Sequence, residues 1–202
     1  MTNHFQTLEL EPRPWLDEAH LKDAYFKKTA TEHPDKKPAV SGATSSNNEP
    51  TMTAINEAHQ ILSSHKTRLA HLLELTTGSR PREITTIEDE EAEQFMSFNT
   101  IMRRVDNHLQ AKEAAGTAME RALLQSEGLE QVDSLQTFQL QLNQQISGIE
   151  TQIQELDEHW LAQRQQRKEP PLMASLEHLY RRISHLTKWH AQIQDRLSKL
   201  AI

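Results

Sequence analysis

The stretch TEHPDKKPAV, residues 31–40, ends one element and begins another. It follows Leu21, Ala24 and Tyr25, which share one face of a helix. Pro34 disfavours the helical conformation for His33 and has no N–H to donate, so that helix must stop near Glu32 and leave His33, Pro34 and Asp35 exposed beyond it. Upstream, Asp17 is the expected N-cap, with Glu18 in the first turn. Pro12 and Pro14 separate the helix from a short apolar opening of Phe5, Leu8 and Leu10. Downstream, residues 36–50 are rich in Pro, Ser, Gly and Asn and have no periodicity, which reads as a loop. Thr51 then caps a further helix in which Ile55, Ala58 with His59, Leu62, Leu69 and Leu72 with Leu73 recur on one face. The expectation is two antiparallel helices joined by an exposed loop.

Thr76-Thr77-Gly78-Ser79-Arg80-Pro81 reads as a helix end followed by a stop. This divides the chain into a first domain over 1–76, a linker over 77–87 and a helical region over 88–202. In the last region Phe95, Phe98, Met102, Val105, Leu109, Met119 and Leu123 form one apolar series, interrupted at Gly116. From Leu129 the steps alternate between three and four through Val132, Leu135, Phe138, Leu142, Ile146, Ile149, Ile153, Leu156 and Trp160. After Pro170-Pro171 the same alternation runs from Leu176 to Leu200. Such spacing is the seam of a helical bundle or coiled coil, and the breaks fold the runs back into three long antiparallel helices. The seams could close within one chain or between two, so the pattern leaves monomer and dimer open.

Composition narrows the chemistry. The 202 residues include no cysteine, which excludes disulfides, thiol nucleophiles and cysteine-bound zinc or iron–sulfur clusters on this chain. Aromatic residues make up 5% and there are 5 glycines, a balance that favours an all-α fold. A formal net charge of −7 lacks the footprint of general nucleic-acid binding. No apolar run approaches the roughly 18 residues of a membrane span, and the N-terminus resembles no targeting segment. The expectation is a soluble, cytoplasmic protein. No paired carboxylates, phosphate-cradling glycine loop, nucleophile elbow or metal-ligand cluster is visible, so no enzyme, cofactor, metal or catalytic residue is expected.

His33-Pro34-Asp35, with Tyr25 eight residues before it, lysines at 22, 27 and 28, and the later Ala54-Ile55-Asn56-Glu57-Ala58, resembles the J-domain. That co-chaperone module stimulates ATP hydrolysis by DnaK-type heat-shock chaperones. The resemblance implies that His33, Pro34 and Asp35 dock on the chaperone, aided by Lys22, Lys27 and Lys28. Lys28 and Glu32 depart from the family by standing where apolar residues are usual. The ending Arg68-Leu69-Ala70-His71-Leu72-Leu73-Glu74-Leu75 looks like that of the HscB family, co-chaperones of iron–sulfur cluster assembly that follow their J-domain with a three-helix domain. It implies an HscA- or DnaK-type chaperone and an iron–sulfur scaffold protein as partners. The family's client segment is matched best by Glu93-Gln94-Phe95-Met96-Ser97-Phe98, with Phe95, Met96 and Phe98 as candidate contacts. Asn99, Thr100, Arg103 and Arg104 stand where acidic residues usually follow. Phe95 and Phe98 lie on the apolar series and Met96 one residue off it. The alternative is a coiled-coil adaptor that uses its J-domain to bring the chaperone to a different assembly.

Overall fold

The computed structural model describes residues 2–32, 51–81 and 89–201. The fold is all-α, as expected, and no strand occurs among the described residues. The helices are α1 (His4–Thr7), α2 (Glu18–Glu32), α3 (Met52–Ser63), α4 (His65–Thr77), α5 (Asp89–Ala114), α6 (Ala118–Ala162) and α7 (Pro170–Leu200). Most of the expected linker, residues 82–87, lies outside the described residues. The chain forms two compact units, Met1–Arg82 with Glu150–Tyr180 and Glu83–Ile149 with Arg181–Ile202.

In the first unit, α3 packs against α1 and α2. Its core includes Phe5, Leu8, Leu21, Ile55, Leu62, Leu69 and Leu72. The helix starts follow from capping: the Asp17 carboxylate accepts from His20 N–H at 2.9 Å and the Thr51 hydroxyl from Ala54 N–H at 3.3 Å. One expectation needs correction. The helix that begins after Thr51 is not continuous through Leu73 but breaks at Ser64, whose φ of −92° and ψ of 131° are extended. The apolar phase from Leu62 to Leu69 survives the break, so periodicity alone hides it. Carbonyls freed there find side chains: Leu62 O accepts from Arg68 at 2.7 Å, and Ile61 O from the Thr67 hydroxyl. Arg68, 2% exposed, also donates to Pro14 O at 2.8 Å and to His65 Nδ1 at 2.6 Å. Burial lowers the Arg68 pKa to about 10, which leaves it charged at neutral pH. α4 ends at Gly78, where φ of 78° lets its N–H return to Glu74 O.

Residues 150–180 complete this unit. Ile153, Trp160 and Leu176 are buried, and the Trp160 indole donates to Pro12 O at 2.9 Å. Asp157 receives the Arg13 guanidinium and the Trp15 N–H.

The second unit packs α5 with parts of α6 and α7. Phe98, Met102, Val105, Leu135, Phe138, Leu142, Ile183, Leu186, Trp189 and Ile193 are buried. Phe98 stacks on Trp189 with centroids 5.2 Å apart and meets Phe138 at 5.6 Å. Gly116 lies in a full break between α5 and α6. Thr117 and Glu120 cap the new helix reciprocally: the Thr117 hydroxyl accepts from Glu120 N–H at 3.2 Å, and the Glu120 carboxylate accepts from Thr117 N–H at 2.9 Å. The apolar series also needs correction at this end. Met119, Leu123 and Leu129 are 76%, 61% and 66% exposed, and burial on α6 begins only at Leu135.

Candidate chaperone-docking and client surfaces

His33, Pro34 and Asp35 lie outside the described residues, so the first surface is seen only through the helix that leads to them. α2 is lightly anchored. Leu21 is the one buried residue of α2 among those whose side chains are described, and Lys28 interrupts the apolar face on which Ala24 and Tyr25 are half-buried. Polar and aromatic contacts supply the rest. The Tyr25 hydroxyl donates to Asn56 Oδ1 at 2.9 Å, and its ring meets His59 with centroids 4.4 Å apart. These tie the middle of α2 to α3.

The three lysines are not equivalent. Lys22 and Lys27 are exposed, whereas Lys28 donates to Glu9 at 2.6 Å. That hydrogen bond, reinforced by the ammonium charge, lowers the Glu9 carboxyl pKa. Lys22 and Lys27 therefore offer free charge to an acidic partner, and Lys28 would first have to leave Glu9. Phe26, 54% exposed, was not singled out by sequence. It lies one residue off the Leu21–Tyr25 face, and that offset is the signal for an outward aromatic. With Trp15, Leu21, Tyr25 and His59 it lines a groove of about 670 Å³.

On the other surface, α5 separates the three candidate residues. Phe98 is 3% exposed and belongs to the aromatic core. Phe95 is half-buried, with its ring 6.2 Å from Trp189. Met96 is 69% exposed and is the residue of the three that presents its side chain to solvent. Asn99, Thr100, Arg103 and Arg104 are exposed beyond it, so the surface following Met96 is neutral and basic. Among the described residues no three His, Asp or Glu side chains are grouped to hold a metal, and no helix is long and apolar enough to cross a membrane.

No curated protein and no solved structure matches the chain. One family model does, that of the DnaJ domain, over residues 3–71. This span contains α1 to α3, the first half of α4 and the segment bearing His33, Pro34 and Asp35. The N-terminal part of this chain is a DnaJ domain.

Proposed function

We propose that the chain is a non-enzymatic co-chaperone that stimulates the ATPase of a DnaK- or HscA-type chaperone and delivers to it an iron–sulfur scaffold protein. The DnaJ match over residues 3–71 is the observation that carries the first half, because this domain is the module by which co-chaperones act on Hsp70-type chaperones. His33, Pro34 and Asp35 would supply an imidazole, a rigid ring and a carboxylate at the docking loop, and the exposed Lys22 and Lys27 would steer an acidic surface toward it. The scaffold as client is supported by the Arg68–Leu75 ending and by Met96, a polarizable side chain held out on α5.

Steady-state ATP hydrolysis by the chaperone, measured with this protein and with or without purified scaffold, tests the reading. Stimulation should be synergistic with scaffold and vanish in Asp35→Asn. Full stimulation by Asp35→Asn would overturn the docking assignment, and stimulation indifferent to scaffold would overturn the client. The exposed Arg103 and Arg104 favour a second reading, an adaptor for a different assembly with an acidic surface, which the scaffold-indifferent outcome would support.

A further inference from the structure

The outer side of α6 differs from an ordinary solvent-facing helix. Residues 134–149 contain no charged side chain, and residues 122–149 contain no lysine or arginine. Leu135, Phe138, Leu142 and Ile149 turn inward, while Ser134, Gln136, Thr137, Leu140, Gln141, Gln144 and Gly148 are exposed. A helix face turned permanently to water normally carries charge. Here its centre is Leu140, 64% exposed and surrounded by amides and hydroxyls.

Gly148 adds a second, independent observation. Glycine weakens a helix interior and is usually kept where space demands it. Gly128 on the same helix has such a reason, since a Cβ there would lie 3.1 Å from His108 Nε2 of α5. At Gly148 an added Cβ would meet nothing within 4 Å. Among the described residues nothing fills the clearance at this glycine, which leaves room there for a close approach from outside.

We propose that this face is a homotypic interface, on which α6 of a second copy lies antiparallel with Leu140 and Gln141 at the twofold axis. Charge selects the occupant. The charges that border this face, Arg104 of α5 and Asp133 beside Ser134, Thr137 and Gln141, are one of each sign, so a strongly basic or acidic helix would find no net countercharge and would lose water without compensation. Glutamine both donates and accepts, so an amide face is complementary to itself, as an isologous contact requires. The same argument sets direction. Parallel pairing would oppose Glu130 to Glu130 and Asp133 to Asp133. The antiparallel register instead places Asp133 opposite Gly148 and Thr137 opposite Gln144. A single helix pair of this length spans roughly 24 Å, which puts the interface at the small, weak end of the range.

Sedimentation of the full chain from about 10 µM to about 1 mM should show reversible dimerisation, and Leu140→Glu should raise the dissociation constant at least about tenfold. Circular dichroism of the variant should be unchanged, because the replaced side chain is exposed. The natural chain has no cysteine, so cross-linking reads the register directly. Mixed Thr137→Cys and Gln144→Cys proteins should form an oxidised heterodimer, whereas Thr137→Cys alone should not cross-link. A monomer throughout the concentration range, a dimer indifferent to Leu140→Glu, or self-linking of Thr137→Cys would each overturn the proposal.

Discussion

Asp157, 3% exposed near the end of α6, accepts the Arg13 guanidinium through both carboxylate oxygens and the Trp15 N–H at 3.2 Å. The pair is asymmetric, since the Arg13 side chain is 32% exposed and the Asp157 side chain 4%. Arginine deprived of its partner can turn to water; the aspartate cannot. Arg13→Ala is therefore expected to destabilise the first unit by about 3 kcal/mol, and Asp157→Asn, which keeps an acceptor for Trp15, by about half as much. Urea unfolding of the two variants checks the order. Equal losses would mean that the carboxylate reaches solvent when Arg13 is removed.

Arg68 closes the break at Ser64. Its guanidinium satisfies Pro14 O, Leu62 O and His65 Nδ1, three acceptors that no shorter or single-headed donor reaches together. Arg68→Met preserves much of the stem volume and removes all three donors. It should cost about 3 kcal/mol or more, with Arg68→Lys intermediate. Thermal unfolding followed by circular dichroism is the measurement. A near-neutral Arg68→Met would show that water replaces the guanidinium.

The parts of this molecule legible in its sequence are those fixed by local chemistry. Asp17 and Thr51 cap helices where expected, and the inward series through Leu135, Phe138 and Leu142 has the spacing of a buried seam. The Ser64 break was not legible, because no proline or glycine marks it and its stabilising donor comes from Arg68 in the next helix. Nor was Arg13 with Asp157, a pair 144 residues apart with no periodic signature. Met119, Leu123 and Leu129 misled because spacing shows that a stripe is apolar without showing whether a neighbour covers it. For the candidate surfaces, the offset of Met96 from its series marks it as outward, and the same one-residue offset from the Leu21–Tyr25 face marks Phe26.

Two neutral histidines make the first unit sensitive to acid. Burial lowers the pKa of His65 and of His71 to about 4, helped in turn by the Arg68 charge and by His4. Both rings act as acceptors, His65 from Arg68 and His71 from the His4 N–H at 3.1 Å. Because the folded values lie below the unfolded value near 6.5, the unfolded chain binds more protons between pH 6.5 and 4. Stability is full above about 6.5 and declines as pH falls through that window. Between pH 7 and pH 5 the pair should account for a loss on the order of 2–4 kcal/mol, the lower end reflecting the partial solvent contact of His65. His71→Gln keeps an acceptor for His4 and removes one titration, so its urea midpoint should fall less over the same interval. An equal fall would assign the acid sensitivity elsewhere.

Gly128 and Gly148 lie on one helix, the first beneath His108 and the second under open space, which sets them in contrast. Alanine at an unobstructed helical position gains about 0.5–1 kcal/mol over glycine. Gly148→Ala should show that full gain when unfolding is measured below about 1 µM, where an interface of this size is dissociated. At Gly128 the new methyl would press on His108 at 3.1 Å, and the ring, 8% exposed, has little room to withdraw. Gly128→Ala should therefore be neutral or destabilising, and a gain equal to that of Gly148→Ala would mean that His108 moves aside freely. Repeating the Gly148→Ala measurement at high protein concentration adds a second comparison. Any stabilisation that shrinks as concentration rises reflects the methyl group acting against close approach of the second copy.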